Sequence, residues 1–105
     1  MQFTSFLDNG QLTIALHGEI DHHRAKQYIQ AISAKIEAYT PHLCILDFEQ
    51  VSFVDSSGIA VVINALRYIT KIRGQLVLSG LHEQPLKVFK TAGVDKLVAI
   101  KENVS

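Results

Sequence analysis

Hydrophobic and polar residues change their spacing several times along this chain, which predicts alternating strands and helices. Residues 3–7 and 12–16 alternate apolar with small or polar side chains, and an Asp-Asn-Gly turn sequence at 8–10 separates them. We therefore predict an antiparallel β-hairpin. From Asp21 to Tyr39 apolar residues recur every three or four positions, which predicts an amphipathic helix capped by Asp21.

The middle of the chain predicts a buried strand followed by a second helix. Pro41 ends the first helix, and residues 42–48 form a nearly continuous apolar run, typical of a strand covered on both faces. Residues 59–69 are rich in β-branched side chains, which favour strands, but they keep the helical period over more than two turns. We therefore predict a helix there, with Gly74 as its C-terminal stop.

The last third of the chain predicts a strand, a short helix and a final strand. Residues 75–79 are expected to form a strand, 84–91 a short helix with Pro85 in its first turn, and 97–100 a final strand. The order is ββαβαβαβ. A hairpin followed by αβ units predicts an α/β fold in which helices pack on a mixed sheet, as a single domain spanning residues 1–105.

Composition narrows the class of protein. The chain has 105 residues, of which 48% are hydrophobic, enough for one adequate core. Ten basic residues balance ten acidic ones, so we expect neither a nucleic-acid partner nor a membrane partner. The single cysteine, Cys44, lies in an apolar run and favours a reducing compartment. With no export leader and no long uncharged apolar segment, a cytoplasmic location is expected.

The most informative sequence is Val-Asp-Ser-Ser-Gly at 54–58, between the apolar strand and the second helix. It places two hydroxyls at a helix N-terminus, where unpaired N–H groups and the helix dipole would hold a phosphate. A regulatory phosphorylation site is one interpretation. The other is that Asp55, Ser56 or Ser57 only caps the helix, and the residues alone leave both open.

Other candidate chemistry is weaker. Asp21, His22 and His23 resemble a metal-ligand set, but adjacent histidines on a helix point about 100° apart and no histidine follows at the fourth position. Ser56 lacks the glycine two residues before it that a nucleophile elbow requires. Phosphate-binding and dinucleotide-binding glycine motifs are missing too. We predict no metal, no cofactor and no enzymatic activity.

Three segments resemble a known family. Residues 16–25 read LHGEIDHHRA, 46–48 read LDF and 51–59 read VSFVDSSGI. These segments are similar to the anti-sigma factor antagonists built on the STAS domain, and the resemblance covers nearly the whole chain. The sequence GEIDHH at 18–23 is particularly similar to the sporulation subgroup, whose target is the anti-sigma factor of the forespore-specific sigma factor.

The resemblance implies a partner switch with Ser56 as phosphoacceptor. The unphosphorylated form would bind an anti-sigma factor, a serine kinase carrying ADP or ATP, and release the sigma factor. Phosphorylation would abolish binding, and a PP2C-type phosphatase would restore it. Asp55 would orient the Ser56 hydroxyl or partner contacts, and Ser57 and Gly58 would shape the helix entry. Because Gly58 lies where the chain turns into the helix, we expect a bulky side chain there to narrow the approach to Ser56. The implied partner-binding residues are Gly18, Glu19, Asp21, His22, His23, Asp55, Ser56, Ser57 and Gly58.

Two related functions remain open. A stress-response or other partner-switching antagonist would use the same chemistry with a different kinase. The same domain type also occurs as a cytoplasmic tail of anion transporters, as an interaction module. For residues 18–23, a turn glycine, a helix cap and solvent-exposed histidines are an equally simple interpretation.

Overall fold

The computed structural model describes residues 3–101, along which strands and helices alternate in the predicted order ββαβαβαβ. The strands are β1 (Phe3–Asp8), β2 (Gln11–Ile20), β3 (Leu43–Val54), β4 (Gln75–Ser79) and β5 (Ala99–Lys101). The helices are α1 (His22–Tyr39), α2 (Ser57–Lys71) and α3 (Glu83–Thr91), and a 3-10 turn (Val94–Lys96) precedes β5. The predicted domain range of 1–105 includes residues 1–2 and 102–105, which lie outside this description.

The strands form one mixed sheet in the order β1-β2-β3-β4-β5. The hairpin prediction is confirmed, because β1 and β2 are antiparallel, while β3, β4 and β5 continue the sheet in parallel. The parallel register aligns Leu12 with Cys44 and Cys44 with Leu76, so the buried side chains of three strands share one face. The helices contribute their apolar sides to the same hydrophobic cluster.

Within residues 3–101, the first half of β3 is fully buried on one face and partly buried on the other, which corrects the expectation of a strand covered on both. Cys44, Leu46 and Phe48 are fully buried, and Phe48 packs edge-on against Phe89 of α3 with ring centroids 5.5 Å apart. Ile45, between the first two, is only partly buried. An uninterrupted apolar sequence is therefore compatible with one-sided burial, since partly exposed positions accept apolar residues at little cost.

β2 and β3 are longer than predicted. Their pairing continues past Leu16 and Phe48 to Ile20 and Val54, through register shifts between Ala15 and His17 and between Gly18 and Glu19. Such bulges break the two-residue alternation on which the predicted boundaries depended. The extension carries β3 directly to the Asp-Ser-Ser-Gly sequence.

The final strand begins two residues later than predicted. Gly93 adopts a φ of 79° and starts the 3-10 turn, in which Leu97 N–H donates to the Val94 carbonyl at 2.9 Å. Leu97 is therefore in the turn and 60% exposed, and the strand starts at Ala99.

Candidate functional site

The chain leaves β3 at Val54 and enters α2 at Ser57, so Asp55 and Ser56 form the connection between strand and helix. The Asp55 carboxylate accepts a hydrogen bond from the Ser57 N–H at 2.8 Å and a second one from the Ser57 hydroxyl. Ser56 is exposed, and its side chain makes no capping hydrogen bond. Asp55 thus makes the hydrogen bonds at the start of the helix, and the Ser56 hydroxyl makes no capping bond.

This arrangement differs from the expectation that Asp55 orients the Ser56 hydroxyl, because the carboxylate is hydrogen-bonded to Ser57. The Ser57 hydroxyl lowers the pKa of Asp55, with further lowering from the Ser57 N–H and from the charge and backbone N–H of His22, while partial burial opposes them. Asp55 is therefore a carboxylate at neutral pH, and it lies close to the start of α1.

The second predicted segment lies beside the first. The Asp55 N–H donates to the Ile20 carbonyl at 3.1 Å, which joins the end of β2 to the end of β3. Gly18 and Glu19 belong to β2 and His22 and His23 to the first turn of α1, so the expected loop at 18–23 is reduced to Asp21. Asp21 caps α1 as predicted and accepts from the Arg24 N–H at 2.8 Å. The exposed members of this segment are Glu19, Asp21, His22 and His23.

Arg24 is a positioning residue that the sequence did not reveal. Its Nη1 donates to the Glu19 carbonyl at 3.2 Å. A Cβ added at Gly18 would lie 2.6 Å from that same nitrogen, and Gly18 has a φ of 82°. Gly18 therefore supplies both the left-handed backbone and the space that lets Arg24 lie against the end of β2.

Gln84 is the second residue that sequence reasoning missed. Its side-chain amide pairs with the backbone of Val54: the Val54 N–H donates to Oε1 and Nε2 donates to the Val54 carbonyl, each at 2.9 Å. The amide thus acts as a short extra strand at the end of β3 and holds the first turn of α3 near Ser56. Thirty residues separate the two partners in sequence, so no local pattern indicates the contact.

Gly58 lies in the first turn of α2, next to Val54 of β3. It is buried, and the atoms nearest to an added Cβ are those of Val54, at 3.1, 3.5 and 3.7 Å. These contacts predict steric conflict with Val54 for a larger side chain, and the expectation that such a side chain narrows access to Ser56 stays a prediction.

A groove opens beside Ser56 between the start of α2 and one side of α3. It has a volume of about 390 Å³, and almost all of its surface is apolar. The groove is formed by Ser56, Ile59, Lys87, Val88, Thr91 and Ala92. We call it the Ser56 groove.

Within residues 3–101, no cluster of three or more His, Cys, Asp or Glu side chains is placed to hold a metal ion. The helices in the same range are too short or too polar to cross a membrane. Burial raises the pKa of the Cys44 thiol to about 12, so this cysteine is an inert member of the core.

The sheet, its helices and the exposed serine at the start of α2 define a recognisable class of domain. The model of the STAS domain family matches residues 7–105, so the chain belongs to that family. The anti-sigma F factor antagonist of Lysinibacillus sphaericus is 35% identical over 79% of this chain and 71% of its own length. The anti-sigma-B factor antagonist of Listeria monocytogenes is 27% identical over 90% of this chain and 82% of its own length.

Solved structures agree with this family assignment. The anti-sigma factor antagonist SpoIIAA in its unphosphorylated form superposes with a TM-score of 0.84 at 28% identity, covering 99% of this chain and 90% of its own. The Bacillus cell fate determinant SpoIIAA in the phosphorylated form gives 0.76 at the same 28% identity, covering 99% and 93%. The STAS fold predicted from the motifs is thereby confirmed.

Proposed function

We propose that this protein is an anti-sigma factor antagonist that binds an anti-sigma factor when Ser56 is unphosphorylated. The observation that carries the proposal is the exposed Ser56, whose hydroxyl has no capping role because Asp55 and Ser57 cap the helix together. Names of the relatives support the same role. Binding would release a sigma factor from the anti-sigma factor.

The regulatory step in this proposal is phosphorylation of Ser56 by the anti-sigma factor, acting as a serine kinase that transfers the γ-phosphoryl group of bound ATP to the Ser56 hydroxyl and leaves ADP. Ser56 is better placed than Ser57 to accept the phosphoryl group, because the Ser57 hydroxyl donates to Asp55 and is less exposed. At pH 7 the phosphate adds about −1.5 to −2 charges beside the Asp55 carboxylate. Repulsion and added bulk would then exclude the partner, and a PP2C-type phosphatase would restore the free hydroxyl.

The neighbouring exposed residues extend the proposed contact surface. The hydrogen bond from the Asp55 N–H to the Ile20 carbonyl joins the segment around Ile20 to Asp55. The exposed residues of that segment are Glu19, Asp21, His22 and His23. Partner contacts there would use side chains. Gly18 and Gly58 would contribute through backbone geometry, since one accommodates Arg24 and the other packs on Val54.

The proposal is tested by incubating the protein with an anti-sigma factor kinase of this family and ATP, then mapping the product by mass spectrometry. We expect one phosphate, on Ser56, and no modification of Ser56→Ala. Ser57→Ala is the matched control, because it removes the neighbouring hydroxyl and leaves the expected acceptor in place. Phosphate on Ser57 with Ser56 unmodified would contradict the assignment.

A stress-response antagonist is the second candidate function. The 27% identity to the Listeria anti-sigma-B factor antagonist favours it, whereas the 35% identity to the anti-sigma F factor antagonist favours the sporulation type. Measuring affinity for anti-sigma factors of both types would separate them, and we expect tighter binding to the anti-sigma F type.

A further inference from the structure

We propose that the Ser56 groove is a docking pocket for an apolar side chain of the anti-sigma factor kinase, flanked on that kinase by an acidic residue. This inference rests on the proposed function and adds to it the chemistry that recognises the partner. The groove extends beyond the two sequence segments from which the contact surface was predicted, because four of its six lining residues belong to α3 or its C-cap.

The groove is held open by contacts in the folded chain. Ile59 and Val88 pack against the hydrophobic core from α2 and α3. The bonds from Gln84 to both backbone groups of Val54 fix the first turn of α3. A pocket that exists before binding needs little ordering when a ligand enters, which favours affinity.

The groove is close enough to Ser56 to lie within the surface that a kinase acting on Ser56 would cover, so we assign the kinase as its occupant. A stable interface covers about 800 Å² on each partner, equivalent to a disc roughly 16 Å in radius. Ile59 follows Ser56 by three residues, which is about 5 Å along the helix axis. A kinase that brings its phosphoryl group to Ser56 must therefore cover the groove as well, and an apolar recess in that footprint is matched by an apolar side chain.

The positive charge of Lys87 is the reason for expecting an acidic residue on the kinase. Lys87 is exposed and forms part of the lining. An acidic side chain beside the apolar one would meet the Lys87 ammonium at the rim, where complementary charges align two partners and speed their encounter.

The test is Ala92→Glu compared with Ala38→Glu. Both alanines are exposed near the C-terminal end of a helix, so the two variants share the same change of charge and a similar helix-dipole cost. Ala38 lies 16 residues beyond His22 along α1, about 24 Å from the start of that helix. We expect Ala92→Glu to weaken calorimetric affinity for the nucleotide-loaded kinase at least about tenfold, and Ala38→Glu to bind like the wild type.

Phosphorylation kinetics give a second readout. Because the groove is expected to hold the kinase equally in the ground and transition states, Ala92→Glu should raise KM and leave kcat unchanged. Thr91→Glu, also exposed on the lining, repeats the test if the circular dichroism spectrum of Ala92→Glu departs from that of the wild type.

The outcomes separate this inference from the proposed function. A wild-type protein that neither binds the kinase nor accepts phosphate overturns both. Wild-type binding with equal affinities for Ala92→Glu, Thr91→Glu and Ala38→Glu overturns the groove inference alone. A loss confined to self-association of this chain would assign the groove to a second copy and would also overturn it.

Discussion

The Asp55–Ser57 pair makes the hydrogen bonds at the start of α2, so the exposed Ser56 between them has no capping role. The side-chain oxygen of a serine at a helix start usually accepts a hydrogen bond from an unpaired backbone N–H of the first turn. Removing such a cap lowers stability by about 0.5–2 kcal/mol. In this chain Asp55 takes that role through its bonds to the N–H and hydroxyl of Ser57. Modification of Ser56 should therefore leave the start of α2 intact.

A pH dependence follows from the lowered pKa of Asp55. Because this pKa lies below its value in the unfolded chain, the ionised carboxylate contributes stability that is fully present above the unfolded-state pKa of about 3.9. That contribution is lost as the pH falls through the folded-state pKa. Asp55→Asn should therefore be less stable than the wild type above about pH 5, and the difference should shrink in acid. Urea unfolding from pH 7 to pH 3 measures it; a difference independent of pH would contradict the assignment.

A second prediction for a single residue concerns Gly58. Gly58→Val should lower the free energy of unfolding by about 1–3 kcal/mol, the usual cost of overpacking, because the new side chain meets the buried Val54. Gly58→Ala is the matched control: its single Cβ contacts Val54 at 3.1 Å, and its better helix propensity, about 1 kcal/mol, offsets that contact. Chemical denaturation checks both. Unchanged stability of Gly58→Val with slowed phosphorylation would support the view that this position controls access to Ser56.

Among the elements, α3 depends on one side chain for its position at the site. Replacing Gln84 with Met keeps the length of the side chain but leaves the Val54 N–H and carbonyl without their partners. We expect the free energy of unfolding to fall by about 1–3 kcal/mol and the Val54 amide to exchange faster with solvent. Gln30→Met, at an exposed position of α1, should change stability by less than about 0.5 kcal/mol. Unchanged protection of the Val54 amide would contradict the anchoring role.

Helix ends show what local sequence can and cannot predict. Gly74 is the predicted stop of α2, but the left-handed residue is Arg73, with a φ of 61°. The Gly74 N–H donates to the Ile69 carbonyl at 2.8 Å and the Arg73 N–H to the Thr70 carbonyl at 3.0 Å, as in a Schellman motif. Gly74 instead provides space, since an added Cβ would lie 2.8 Å from the Pro41 carbonyl oxygen. The stop was predictable; its mechanism depends on a distant segment.

The same division holds for the site. The cap by Asp21 and the helix start after Asp55 follow from neighbouring residues, and the structure contains both. The contact between Gln84 and Val54 and the accommodation of Arg24 by Gly18 depend on tertiary packing and bulged pairing, which no period in the sequence encodes. The sequence therefore predicted the elements and the place where α2 begins, while the shape of the surface around Ser56 required the fold.

For the whole molecule, the proposed phosphorylation would change the surface and leave the core as it is. Ser56 is exposed, whereas Val54 and Gly58 on either side are buried in a continuous core. A phosphate on Ser56 would therefore lie in solvent, near the positive N-terminal end of the α2 dipole. It would displace no core residue. The switch would act by changing the docking surface without refolding the domain.

The central claim is tested most directly by calorimetric titration of the unphosphorylated and the enzymatically phosphorylated protein against the nucleotide-loaded anti-sigma factor kinase. We predict binding by the unphosphorylated protein and by Ser56→Ala, and at least about tenfold weaker binding by the phosphorylated form, a difference of about 1.4 kcal/mol. Circular dichroism should show the same fold in all three. Equal affinity of the phosphorylated and unphosphorylated proteins would contradict the partner switch.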